Sequence, residues 1–180
     1  MLNKKGFTLL ELMVAMLILG LLATFVVPNL MRKSPKMERE NFIARLNSLV
    51  RFAWNDAIAS DQLRTIGFYF SKNKKTVSVF SDKKAKVPLK RVYFKPVITV
   101  PLQLDVVNFY VGNIDQRARG GGGPLKDAWF YILPDGTTQA VIINVLDRED
   151  KIGKKSRPIS LVLNPFSAQF DVYDSFKKPQ

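Results

Sequence analysis

Met1-Leu-Asn-Lys-Lys-Gly6, followed by Phe7-Thr-Leu-Leu-Glu-Leu-Met-Val-Ala-Met-Leu-Ile-Leu-Gly20, decides how the rest of the chain is read. A short basic leader ends at Gly6, and between Phe7 and Met31 the one charged residue is Glu11. At about 1.5 Å per residue this run makes a helix long enough to cross a hydrocarbon layer of roughly 30 Å. A secretory signal places its small-residue cleavage site after the apolar run, and no clear site of that kind follows here. A carboxylate inside a bilayer is costly and marks function by default, which makes Glu11 the first candidate site residue. Gly20 costs about 1 kcal/mol of helix propensity, and Pro28 costs about 3 kcal/mol through a lost hydrogen bond and a clash with the preceding turn.

Working outward, the chain has 180 residues, so about 150 follow the apolar run, enough for one domain. Cysteine and histidine are both absent. Their absence removes thiolate nucleophiles, disulfides, the commonest general base and the commonest metal ligands. No catalytic constellation of carboxylates or lysines replaces them, so we expect neither an enzyme nor a bound cofactor or metal. The formal net charge is +13, which favours anionic partners. Arg32, Lys33 and Lys36 flank the apolar run on its far side, so flanking charge alone does not orient it in a membrane.

Ser34-Pro35 reads as a helix start, either a restart or a kinked continuation. From Glu38 to Ser60 the spacing of Phe42, Leu46, Leu49, Ala53 and Ala57 predicts an amphipathic helix whose apolar stripe covers a sheet. Asn41, Arg45, Ser48, Arg51 and Asn55 fall on its polar side. Strands are predicted over 65–70 and 76–81 as a hairpin, then over 92–94, 97–100 and 104–111. Pro88, Pro96 and Pro101 mark that middle part as edges or loops. Two further strands, 128–133 and 138–146, flank Pro134-Asp-Gly-Thr137 and read as a second hairpin. Strands over 159–163 and 169–173 close the domain.

Three loops invite chemistry and do not carry it. Gly120-Gly-Gly-Gly123 lacks the lysine and serine of a phosphate loop and runs into Pro124, so it reads as a flexible connection. Gly153-Lys-Lys-Ser156 lacks the upstream glycine. Asp147, Glu149 and Asp150 read as a solvated loop, because Lys151, Lys154 and Lys155 oppose a cation there. The basic concentration is Lys72, Lys74, Lys75, Lys83, Lys84 and Lys86, with Lys90 and Arg91 beyond, interleaved with Tyr69, Phe80, Tyr93 and Phe94. Aromatic rings among lysines are candidate anion contacts, able to stack bases while the lysines neutralise phosphates.

The N-terminal order of Lys4-Lys5-Gly6, Phe7-Thr8-Leu9-Leu10 and Glu11 resembles the type IV pilin and type II secretion pseudopilin class. The resemblance implies a leader over 1–6 cut between Gly6 and Phe7 by prepilin peptidase, with Phe7 then N-methylated. It implies a transmembrane and assembly helix over 7–31 and a periplasmic globular domain over 32–180. Glu11 would pair with the N-terminal amine of a neighbouring subunit, and Gly20 and Pro28 would mark places where the helix weakens on assembly. The implied fold is the α+β pilin fold, a long N-terminal helix, membrane-spanning in its first half, packed on an antiparallel sheet. Phe130-Tyr-Ile-Leu-Pro-Asp-Gly136 and the late Pro165 turn are similar to H-type minor pseudopilins and the related FimT-like minor pilins. Ser167-Ala168 stands where that group usually has Thr-Gly.

The implied protein is a minor pseudopilin, a structural part of the type II secretion pseudopilus involved in protein export across the outer membrane. It would be a single-pass protein of the bacterial inner membrane. Its implied partners are major and minor pseudopilins, prepilin peptidase and the inner-membrane assembly platform. The alternative is a minor type IV pilin engaged in DNA binding, uptake or pilus assembly through the lysine-rich strands. Against nucleic acid stands the C-terminal stretch Asp171 to Pro179, which has no arginine motif.

Overall fold

Alternation of apolar and polar residues builds most of this chain from antiparallel strands, and one amphipathic helix covers them. A computed structural model describes residues 9–31, 34–71, 74–81, 97–117 and 127–179. Contacts divide the chain into two units, Met1–Ser34 and Pro35–Gln180. The first unit holds α1 (Leu9–Met31). The second opens with α2 (Pro35–Ser60), with Pro35 at its first position, where its missing N–H costs nothing.

The strands are β1 (Arg64–Phe70), β2 (Lys75–Phe80), β3 (Val97–Thr99), β4 (Leu104–Val111) and β5 (Ile114–Asp115). They continue with β6 (Ala128–Ile132), β7 (Val141–Ile152), β8 (Lys155–Asn164) and β9 (Gln169–Tyr173). They form two sheets, ordered β3-β2-β1-β6 and β5-β4-β7-β8-β9. The class is α+β with antiparallel strands, as expected, but the strands divide between two sheets. The β1–β2 hairpin forms in the expected place, with Phe68 opposite Val77. The strand expected over 92–94 lies outside the described residues.

Two expectations fail, and both failures are physical. Leu133 N–H donates to the Thr137 carbonyl at 2.9 Å, so the Pro134–Thr137 turn is tight. The flanking strands nevertheless part after one bridge, Ile132 to Thr138. β6 pairs with β1, whereas β7 pairs with β4 and β8, so the turn changes sheets and is no hairpin. A turn sets the direction of the chain locally, but each strand's pairing is set by which edge buries its apolar face. The acidic group is the second failure. Asp147 and Asp150 lie in β7, not in a solvated loop, and Asp147 is fully buried.

Phe42, Leu46, Leu49, Ala53 and Ala57 form the buried stripe of α2, joined by Val50. Burying a leucine or valine contributes about 1.5–3 kcal/mol relative to exposure. The sheets meet through aromatic edges. Phe68 of β1 and Phe109 of β4 lie 5.0 Å apart at 65°, and Phe130 of β6 and Phe170 of β9 lie 6.3 Å apart at 85°. Side-chain amides close the strand edges that the sheets leave open. Gln116 accepts from the Trp129 N–H at 2.8 Å and donates to its carbonyl at 2.9 Å. Gln139 accepts from the Tyr131 N–H, and Asn47 of α2 accepts from the Phe170 N–H at 2.8 Å.

Candidate assembly surface

The side chains of α1 between Leu9 and Val26 make an apolar exposed surface. This segment has a mean hydropathy of 2.5 and is not buried anywhere, with Leu9 80% and Phe25 73% exposed. Such a surface is stable only against lipid or against other apolar helices. Glu11 is the acid of its first turn, where the helix dipole favours a carboxylate.

Gly20 follows Glu11 by nine residues, which at about 100° per residue puts the two on opposite faces. A methyl group at Gly20 would meet nothing within 4 Å, so packing within this chain does not require glycine there. Thr24 bends its hydroxyl back onto the Leu21 carbonyl at 2.6 Å. Pro28 lies within α1 and brings no N–H, so the Thr24 carbonyl loses its regular helical donor. Gly6 and Phe7 lie outside the described residues, as do Lys72, Lys83, Lys84, Lys86 and the Gly120–Gly123 loop.

The second unit fixes the start of α2 with charge. Arg39 is buried and donates to Asp147 at 2.9 Å and to Asp150 at 2.5 Å. Asp150 also meets Arg157 at 3.4 Å, and Arg157 reaches Asp174 at 2.9 Å. Gln103 donates to the Pro35 carbonyl at 2.8 Å, tying the first residue of α2. Burial opposes the charge on Arg39, but its hydrogen bonds and charge pairs with Asp150 and Asp147 outweigh that, and its pKa is raised. The Arg39 hydrogen bond leads the causes that hold the Asp150 carboxyl below its usual range; burial opposes it and the charges of Arg39 and Arg157 assist.

Sequence reasoning passed over this cluster because Asp147 and Asp150 lie 108 and 111 residues from Arg39. A signal was present. Arg39 precedes Phe42 by three residues and Leu46 by seven, so it sits on the apolar stripe. A second pair closes the α2–β1 corner, where buried Arg64 donates to buried Asp56 at 2.5 Å.

Of the candidate anion contacts, Lys74 is exposed and Lys75 is engaged within the chain. Lys75 Nζ donates to the Leu104 carbonyl at 2.7 Å and to Asp105 at 2.8 Å. The apolar helix with one acid is therefore the described feature that asks for partners.

Residues 1–27 match the family model for the prokaryotic N-terminal methylation motif. The chain is type IV pilin-like. Over 47 residues, 26% of its length, it is 49% identical to type II secretion system core protein G of Klebsiella pneumoniae. Over 47 residues it is 45% identical to core protein G of Vibrio cholerae. These matches span about a third of the length of the curated relatives. Among solved structures, the pilin-like chain is similar to the minor pseudopilin EpsH of the Vibrio cholerae type 2 secretion system. The likeness has 13% identity and a TM-score of 0.47, and covers 81% of this chain and 99% of that one. It is also similar to the type IV minor pilin FimU of Pseudomonas aeruginosa, at 13% identity and a TM-score of 0.44, covering 78% and 92%.

Proposed function

We propose that this pilin-like chain is a minor pseudopilin of a type II secretion system, a structural subunit rather than an enzyme. The observation that carries the reading is α1, an exposed apolar helix that bears a single acid at Glu11 and lies mostly within the matched methylation motif. In this reading the leader is removed after Gly6 and Phe7 becomes the methylated N-terminus. Glu11 then pairs with the Phe7 amine of a neighbouring pseudopilin, away from water. Gly20 and Pro28 let the helix yield as the subunit passes from bilayer to filament. The partners are major and minor pseudopilins, the peptidase and the assembly platform, and the sheet unit faces the periplasm from the inner membrane.

The test replaces Glu11. A charge left unpaired in an apolar site costs about 3–5 kcal/mol, and each 1.4 kcal/mol is tenfold in an equilibrium. Glu11→Ala is expected to leave membrane insertion intact and to lower co-purification with partner pseudopilins by about a hundredfold. Normal co-purification of that variant would overturn the role given to Glu11. Salt-resistant binding of duplex DNA by the full chain, lost with Lys83, Lys84 and Lys86 changed to Ala, would instead favour a DNA-binding minor pilin.

A further inference from the structure

Strand alternation assigns Ile143 and Val145 of β7, and Ile159 and Leu161 of β8, to the core. Asn144 and Ser160 therefore point from the opposite face of that sheet, and they are directly paired in register. An outward polar pair is normally wet. Here Asn144 is 2% exposed and Ser160 is 0% exposed. The cover is the chain's own C-terminal tail, which leaves β9 after Tyr173 and crosses this face.

The contacts are with backbone. Asn144 Nδ2 donates to the Lys177 carbonyl at 2.9 Å, and its Oδ1 accepts from the Lys177 N–H at 3.3 Å. Ser160 Oγ accepts from the same N–H at 2.9 Å and lies 2.7 Å from the Ser175 carbonyl and 2.5 Å from Asn144 Oδ1. One hydroxyl proton serves one of those two acceptors at a time. A side-chain amide that takes both the N–H and the C=O of one residue imitates a neighbouring strand and reads no side chain. A groove of about 250 Å³ lined by Ile142, Val162, Tyr173, Lys177 and Lys178 runs beside the crossing. Lys177 adds a cation over the Tyr173 ring at 4.7 Å. Arg157 holds Asp174 through both carboxylate oxygens, at 3.2 and 2.9 Å, and so fixes the bend where the tail departs.

We propose that the Asn144–Ser160 face is a peptide-binding site that reads backbone, filled by the chain's own tail and open to the same tail of a second copy. The occupant follows from what is seated there. An identical segment makes identical bonds, so exchanging tails between copies costs little beyond opening the bend at Asp174 and Ser175. An empty site would return both side chains to water, so the tail's backbone replaces that water with hydrogen bonds of its own.

The experiment uses the chain ended after Tyr173, in detergent micelles, with a labelled peptide of residues 174–180. Saturable binding is expected, weakened at least tenfold by Asn144→Ala in the acceptor. A peptide N-methylated on the Lys177 nitrogen should fail to bind, whereas a peptide with Lys177→Ala should keep most of the affinity. Absence of saturable binding to a folded acceptor overturns the proposal, as does equal binding of the N-methylated peptide. If the shortened chain does not fold, the full chain decides, because it has no native cysteine. Mixing Ile142→Cys chains with Lys178→Cys chains should give a disulfide-linked heterodimer, and its absence would rule out exchange.

Discussion

α1 and α2 are helices of similar length that solve opposite problems. α1 spans 23 residues, exposes its apolar side chains and holds one acid. α2 spans 26 residues, buries one apolar stripe and places two charged side chains, Arg39 and Asp56, inside. The acid of α1, Glu11, lies on a helix whose apolar side chains are exposed. A charge buried in α2 is answered within the chain, by Asp147 and Asp150 for Arg39 and by Arg64 for Asp56. An out-of-place charge is thus architecture in α2, whereas in α1 it is the residue on which the proposed function rests.

Predictions can break that contrast. Arg39→Met leaves Asp147 buried without its cation and should destabilise the sheet unit by about 3–5 kcal/mol. Urea unfolding of the full chain in micelles checks it, and a loss under about 1 kcal/mol would make the cluster ornamental. Leu49→Ala should cost about 2–5 kcal/mol in the same assay, because Leu49 is fully buried. Leu17→Ala in α1 should leave that transition unmoved, since Leu17 is 64% exposed. A matching loss at Leu17 would erase the distinction between the helices.

Acid titration sharpens the contrast further. The folded pKa of Asp150 is depressed, so in acid the unfolded chain binds the extra proton. Its stabilising contribution is present above the ordinary carboxylate value of about 3.9 and is lost as pH falls through the folded value. Asp150→Asn should flatten the stability profile below about pH 4 relative to the unaltered chain. An unchanged slope would show that the Arg39 and Arg157 contacts do not control that carboxyl. Smallest is Gly20→Ala, which should raise α1 helicity by about 1 kcal/mol without a clash. Circular dichroism in micelles measures it, and a helicity loss would contradict the open surroundings of Gly20.

Local patterns were legible at the level of single elements. The spacing of Phe42, Leu46, Leu49, Ala53 and Ala57 located the buried face of α2, and Thr65 to Ser81 located the β1–β2 hairpin. The Pro134–Thr137 turn is also legible as a turn. Its Gly136 adopts φ 81°, and the Gly136 carbonyl accepts from Trp54 Nε1 at 2.6 Å, so α2 fixes the turn from above. What a turn residue cannot tell is whether its flanking strands stay together. Ala168 makes a related point, since it takes φ 51° in the turn before β9, a backbone conformation that favours glycine. Asp147, Glu149 and Asp150 misled because three acids among lysines look solvated until Arg39 arrives from the other end of the chain.

By itself the sequence determined the features that depend on neighbours along the chain. These are the apolar run with its single acid, the methylation motif, the amphipathic period of α2 and the positions of most strands. They follow from rise per residue, side-chain period and backbone preference, each of which acts over a few residues. Only the tertiary structure decided the division into two sheets, the seat of Arg39 between Asp147 and Asp150, and the tail lying over Asn144 and Ser160. Those depend on groups 15 to 111 residues apart, brought together when apolar faces leave water. Burial then decides which polar groups must find one another, because an unpaired one inside costs more than most single contacts contribute.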